Sequence, residues 1–255
     1  TAIKYHPEEP FHAEKIFRSP VTGKPNILKP GVMTDCRSAY GDALSNLAAE
    51  NPKIVALTAD LGGSVKTDTM KKTYPDRVFD VGIAEQHMVS CSGGLSLSGM
   101  VPFCSTFGAF MSRRAKDQAR LNDINLTNVK MVATHCGLSV GEDGPTHQAI
   151  DDAGYFLGMF NTMVIEPADP NQTDRIIRYV ASHWGNFYVR MGRHKFPILL
   201  KEDGTPYYGA DYVYEYGKCD VISEGATVPV AASGAMVSQA LAAIELLEKM
   251  RSSGQ

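Results

Sequence analysis

The chain has 255 residues, of which 44% are hydrophobic and 21% are charged, and its formal net charge is -3. This length suits one sizeable domain with a modest extension, and the balanced charge gives no indication of a nucleic-acid or membrane partner. Five cysteines without a CxxC pair predict neither a disulfide framework nor a zinc site. No basic segment precedes a long apolar run, so we expect neither export nor membrane anchoring, and a cytoplasmic location.

Residues 1–31 are rich in Pro, His and charge without helical or strand periodicity, and we expect a linker or wrapping arm there. Strand-like and helix-like segments then alternate over residues 32–200. The predicted strands are Ile54–Ala59, Val78–Val81, Met100–Cys104, Val129–Thr134, Met163–Glu166 and Phe187–Met191. The predicted helices are Arg37–Ala49, Ala84–Ser96, Phe107–Leu121, Gln148–Phe160 and Asn171–Ser182. This alternation predicts an α/β fold with a mainly parallel sheet and helices on both faces.

The remaining residues indicate the start of a second α/β domain. Residues 201–217 are polar and contain several Tyr and Gly, as is typical of an interdomain linker. In residues 218–255 we expect strands at 220–223 and 228–232 and a helix at 236–250. Because two strands and a helix leave most of their apolar faces uncovered, we expect this second domain to be incomplete.

The polar residues of the first domain concentrate in the loops that follow its strands. Ligands of parallel sheets lie beyond the carboxyl ends of the strands. Between His135 and His147 three glycines are interspersed with polar groups, which favours close approach of the backbone to a ligand. The two histidines could instead bind a metal with Glu142 and Asp143, but the twelve-residue gap matches no common zinc spacing, so we predict no metal site in this chain.

Two of these segments, FDVGIAEQHM and THCGLSVGEDGPTHQ, resemble the pyrimidine-binding domain of transketolases. The likeness extends from about Arg37 through Arg193, and GEDGPTHQ is its more specific part. GIAEQ is shared by several families of thiamine enzymes. The related deoxyxylulose-phosphate synthases usually lack the Glu and Gln of the longer motif. The resemblance implies thiamine diphosphate as the cofactor.

In that family a glutamate hydrogen-bonds a ring nitrogen of the cofactor's aminopyrimidine, and Glu85 matches it. From position alone, Glu85 would be an acid in the first turn of a helix, stabilised by the helix dipole. Phe107 and Phe110 resemble the aromatic wall on which the pyrimidine stacks, although paired aromatics more often pack in a core. Asp60 and Leu61 resemble a loop that approaches the cofactor across a subunit interface. Many transketolases carry a Tyr one turn further along, where this chain has arginine at 113, with Arg114 beside it.

The same resemblance implies substrate contacts. His147 and Asp143 match contacts to the hydroxyls and carbonyl of the sugar donor, and His147 is counted with Glu85 as catalytic. His135 matches a contact near the substrate phosphate.

Arg37, Ser64 and Arg193 match the family's phosphate clamp, and a guanidinium fork suits phosphate geometry. Each arginine taken singly could equally be solvated surface charge. Arg190 lies close to Arg193 in sequence, and the sequence leaves the choice between them open.

Thiamine enzymes hold the diphosphate through a divalent cation bound by a GDG segment, and this chain has no GDG string. We therefore expect Mg²⁺ or Ca²⁺ on a partner diphosphate-binding domain or chain, in a homodimer or heterotetramer. The implied activity is transfer of a two-carbon ketol unit between sugar phosphates. A deoxyxylulose-phosphate synthase-like enzyme or a transketolase for unusual sugars is the enzymatic alternative. A non-catalytic assembly partner is the other, although retention of Glu85, His135, Asp143 and His147 argues against it.

Overall fold

The computed structural model describes residues 26–225 and 228–253. The predicted arm therefore lies outside the described residues except for its end at 26–31. That end lies against the helix Pro170–Ser182, where the amide of Leu28 donates to Oδ1 of Asn171 at 2.8 Å. None of the helices in these ranges is long and apolar enough to span a bilayer.

A six-stranded, entirely parallel sheet forms the centre of the molecule, and this confirms the predicted fold class. Its strands are β2 Ile54–Thr58, β3 Val78–Asp80, β4 Val101–Phe107, β5 Lys130–Thr134, β6 Thr162–Ile165 and β7 Asn186–Arg190. Their spatial order is β3-β2-β4-β5-β7-β6. A separate antiparallel pair, β1 Met33–Asp35 with β8 Lys195–Pro197, was not predicted, because neither segment has the Val- and Ile-rich pattern typical of a strand.

Helices cover both faces of the sheet. They are α1 Cys36–Glu50, α2 Gly62–Val65, α3 Asp68–Lys71, α4 Glu85–Leu97, α5 Gly108–Arg113, α6 Lys116–Ile124, α7 Asp152–Leu157, α8 Pro170–Ser182 and α9 Met236–Ser252. Helices α1 and α8 pack on one face, while α4 to α7 supply the core of the other. Each fully buried aliphatic or aromatic side chain in these cores contributes about 1.5–3 kcal/mol.

Two helix starts follow from their capping residues. The Asp35 carboxylate accepts from the amide of Ser38 at 2.9 Å and begins α1. Asp169 does the same for Gln172 at 2.7 Å, with Pro170 at the first helical position of α8. These caps fix the residue at which each helix begins and therefore where the preceding loop ends.

The single helix predicted for 107–121 is wrong, because the chain turns at Arg114 and Ala115 between α5 and α6. The reason is packing, because α5 lies against α7 whereas α6 lies against α4. A single straight helix could not make both of these contacts. The helix predicted for 148–160 is shorter than expected. The carbonyl of Ala149 accepts from the amide of Gly137 at 2.8 Å, which holds this stretch extended, and α7 begins only at Asp152.

In the second segment the predicted helix forms as α9, but the strands predicted at 220–223 and 228–232 do not. A strand needs a neighbour for its backbone hydrogen bonds, and none of the described strands pairs with either stretch. Val221 and Val230 are 68% and 64% exposed. The segment meets the first domain through the Ser233 hydroxyl, which donates to the Glu166 carboxylate at 2.7 Å.

Candidate active site

Polar and aromatic side chains converge at the carboxyl ends of the parallel strands. Phe107 ends β4, His135 follows β5, and Glu85 begins α4 after the β3 loop. Side chains that follow neighbouring parallel strands meet at one edge of the sheet. The fold thus brings together residues that lie up to 156 positions apart, as between Arg37 and Arg193.

Glu85 is 4% exposed and stands at the first position of α4. Its Oε1 atom lies 2.7 Å from Nη1 of Arg114, whose guanidinium covers the ring of Phe110 with its central carbon 4.0 Å from the centroid. An open cavity of about 430 Å³ lies beside the carboxylate. It is lined by Ile83, Ala84, Glu85, Gln86, Arg113 and Arg114. A buried carboxylate that faces a cavity of this size can hydrogen-bond a ring-sized ligand.

Phe107, Phe110 and two histidines form one aromatic cluster. The Phe107 and Phe110 rings are stacked with centroids 5.6 Å apart. His135 stacks on Phe107 at 3.8 Å, and His147 meets the edges of both phenylalanine rings at 5.9 and 5.1 Å. The sequence placed the phenylalanines and histidines in separate groups, whereas the structure joins the expected cofactor wall to the expected donor contacts.

His135 is held in an unusual backbone conformation, with φ of 58° and 3% exposure. Its Nδ1 atom lies 2.9 Å from the Thr134 hydroxyl. Burial, reinforced by the positive charges of Arg37 and Arg193, lowers the pKa of His135 to about 3. The imidazole is therefore neutral at ordinary pH and offers one donor and one acceptor.

Arg37 links the predicted phosphate clamp through main-chain atoms. Its Nη1 donates to the carbonyl of Ser64 at 3.1 Å and its Nη2 donates to the carbonyl of Arg193 at 3.0 Å. The Nε atom lies 3.3 Å from the Asp35 carboxylate. Three of the four predicted substrate contacts on this side, Arg37, Ser64 and Arg193, thus lie together, with His135 close enough for both guanidinium charges to act on it.

Arg193 and Arg190 occupy different environments, although three positions separate them. Arg193 donates to the carbonyl of Val140 at 2.7 Å and pairs with the exposed carboxylate of Glu142, within the loop that also carries the exposed Asp143. Arg190 instead pairs with Asp152 at 2.9 Å and with Glu166. Because two carboxylates already satisfy Arg190, Arg193 is the better candidate for an external anion.

Asp60 follows β2 in the left-handed region, with φ of 59°. The Asp80 carboxylate accepts from the amides of Asp60 at 2.9 Å and Gly82 at 3.0 Å, and so joins the Asp60–Leu61 loop to the Glu85 loop. Sequence reasoning did not select Asp80. Its position at the end of a strand next to Asp60 was the available signal.

No group of three or more His, Cys, Asp and Glu side chains in residues 26–225 and 228–253 is arranged to hold a metal ion. His135 and His147 contact Phe107 instead. The two histidines are therefore placed by aromatic packing.

A family model described as the pyrimidine binding domain of transketolase matches residues 33–197. A putative transketolase C-terminal section of Methanocaldococcus jannaschii is 36% identical over 220 residues, covering 86% of this chain and 68% of that protein. The human transketolase is 35% identical over 224 residues, covering 87% of this chain and 34% of that protein. A solved structure described as a split gene transketolase, inactive beta4 tetramer, has 39% identity and a TM-score of 0.74. That likeness covers 84% of this chain and 68% of the other. The chain thus spans about two thirds of the C-terminal section and of the split gene transketolase, and about a third of the human protein.

Proposed function

The chain belongs to the transketolase family through its pyrimidine-binding domain, and on that premise we propose that it supplies half of a thiamine diphosphate site for ketol transfer. The reaction would move a two-carbon ketol unit from a ketose phosphate to an aldose phosphate. The observation that carries this proposal is the buried Glu85 carboxylate, which lines an open cavity and is joined through Arg114 to the ring of Phe110, itself stacked with Phe107.

These residues suit an aminopyrimidine ring. Glu85 offers carboxylate oxygens to a ring nitrogen, and the phenylalanine pair offers a flat apolar surface for stacking. When bound, thiamine diphosphate supplies the nucleophilic thiazolium carbon on which the transfer depends. The chain's own contribution is to hold a proton at the Glu85 oxygen and to orient the ring. Asp60 and Leu61, tied to the Glu85 loop through Asp80, would approach the cofactor across the subunit interface.

The donor would bind over the aromatic cluster. His147 lies in van der Waals reach of the wall and, with Asp143, would contact the hydroxyls and carbonyl of the ketol unit. The neutral His135 would offer a hydrogen bond without adding charge near the sugar phosphate. Arg193 would bind that phosphate, with Ser64 beside it, while Arg37 holds both segments in register.

The diphosphate and its Mg²⁺ or Ca²⁺ would be held by a diphosphate-binding domain that is part of the same enzyme. The likeness to a split gene transketolase and to a putative transketolase C-terminal section supports a second polypeptide for this role. The beta4 tetramer of that split gene transketolase is described as inactive, which agrees with a site that needs a second chain. A homodimer or heterotetramer that pairs the Asp60 and Glu85 faces with the diphosphate domain fits this arrangement.

The long GEDGPTHQ motif favours this activity over a deoxyxylulose-phosphate synthase. The clustering of Glu85, His135 and His147 at one edge of the sheet favours catalysis over a purely structural partner.

The experiment is a ketol-transfer assay with thiamine diphosphate and Mg²⁺, run on this chain alone and after mixing with the diphosphate-binding part of a transketolase. We expect turnover only in the mixture. Turnover by this chain alone would contradict the half-site, and an assembled but inactive mixture would contradict the activity.

A further inference from the structure

Arg114 contacts both of the groups that we assign to the aminopyrimidine ring. Its Nη1 atom lies 2.7 Å from the Glu85 carboxylate, and its guanidinium lies over Phe110 with the central carbon 4.0 Å from the ring centroid. The Glu85 side chain is 4% exposed, so Arg114 covers a carboxylate that is otherwise shielded from water. Arg114 thus contacts the Glu85 carboxylate and the Phe110 ring at the same time.

A guanidinium group resembles an aminopyrimidine in the two properties on which hydrogen bonding to Glu85 and stacking on Phe110 depend. It is planar, it donates hydrogen bonds in its own plane, and it stacks on aromatic faces. The aminopyrimidine ring is likewise flat, and its ring nitrogen would hydrogen-bond the same Glu85 carboxylate. The two groups therefore compete for the same carboxylate oxygen and the same ring face.

The position of Arg114 in the chain allows it to move. It lies with Ala115 in the turn between α5 and α6, and its side chain is 47% exposed. Ala115 is fully buried and anchors the turn in the core. The arginine side chain can therefore rotate into solvent without disturbing the packing beneath it.

We propose that Arg114 is a placeholder: its side chain occupies the position of the pyrimidine ring and must rotate into solvent before the cofactor can reach Glu85. This inference rests on the proposed function, because it assigns Glu85 and Phe110 to the pyrimidine. When the site is open in only a fraction of the molecules, the apparent affinity for the cofactor is the intrinsic affinity multiplied by that fraction. Removing the placeholder should therefore strengthen cofactor binding, which is the opposite of what removal of an ordinary ligand contact would do.

The contact is tested first on the free chain, by measuring the rate at which a water-soluble carbodiimide and an amine label Glu85, read by mass spectrometry of its peptide. Arg114→Gln should accelerate labelling severalfold, because the carboxylate loses its cover. Arg120→Gln, at an exposed arginine of α6, is the matched control and should label as the unmodified chain does. Equal labelling in the Arg114 variant and the unmodified chain would overturn the proposal.

Cofactor binding is then measured by calorimetry on the assembly with the diphosphate-binding part, using thiamine diphosphate and Mg²⁺. We expect Arg114→Gln to bind about tenfold more tightly, as for a site that is open about a tenth of the time, and Arg120→Gln to be unchanged. Equal or weaker binding by Arg114→Gln would overturn the placeholder. An assembly that binds no cofactor in any form would contradict the proposed function instead, and the labelling of the free chain would then decide the Arg114 contact.

Discussion

Nη2 of Arg37 donates to the main-chain oxygen of Arg193 at 3.0 Å, which joins the first turn of α1 to the segment after β7. The same guanidinium reaches the carbonyl of Ser64 at 3.1 Å. Arg37 therefore fixes the spacing of two segments as well as contributing charge, and Arg193 remains the more available of the two for an anion.

Arg193→Ala should raise the apparent KM for phosphorylated donors by roughly ten- to a hundredfold, because a charged hydrogen bond to phosphate is lost. Turnover at saturation should change less. The unphosphorylated donor hydroxypyruvate serves as the internal control, since it never uses the clamp. Equal losses for both donors would remove Arg193 from phosphate recognition.

His147→Ala should weaken both donor classes, because its proposed contact is to the ketol unit that every donor shares. Steady-state kinetics with a ketose phosphate and with hydroxypyruvate would show a loss of kcat/KM for each. A loss restricted to the phosphorylated donor would place His147 with the clamp instead.

Arg190→Met should destabilise the fold, since it leaves the carboxylate of Asp152, 1% exposed, without its charge partner. Breaking such a buried pair costs about 3–5 kcal/mol. Arg113→Met is the matched control, because its pair with Asp151 is exposed and contributes about 0–1 kcal/mol. Urea unfolding of both variants gives the comparison, and similar midpoints would show that Arg190 has no structural role.

His135 should make the folded chain less stable in acid. Its pKa is lowered to about 3 from 6.5, so between these values the unfolded chain binds more protons than the folded chain. The contribution is present above pH 6.5 and is lost as the pH falls toward 3. Urea unfolding at about pH 7 and about pH 4.5, on either side of the usual histidine pKa, should therefore show a smaller loss of stability in His135→Gln than in the unmodified chain. His194→Gln, at an exposed histidine, is the control, and an identical pH response of all three proteins would refute this assignment.

The sheet was predictable because short Val- and Ile-rich segments alternate along the sequence with segments of helical pattern. The turn at Arg114 was not, because it depends on α5 and α6 packing against different helices. Strands at 220–223 and 228–232 were expected from their composition, but a strand forms only where another lies beside it.

At the site, motif resemblance selected Glu85, His135 and His147 but could not show that both histidines contact Phe107. The choice between Arg190 and Arg193 also required coordinates, since three positions in sequence separate two different electrostatic environments. Partners of an arginine come from distant strands and loops, and a single sequence carries no record of them.

The proposed ketol transfer would depend most on Glu85, and the most direct test is the turnover of Glu85→Gln in the assembled enzyme with thiamine diphosphate and Mg²⁺. The amide keeps the shape of the side chain but cannot hold the proton at the pyrimidine nitrogen, so we expect turnover to fall on the order of a hundredfold or more with the fold and assembly retained. Glu50→Gln, at an exposed glutamate that ends α1, should keep full turnover. Near-normal turnover in Glu85→Gln would contradict the assignment of this cavity to the cofactor.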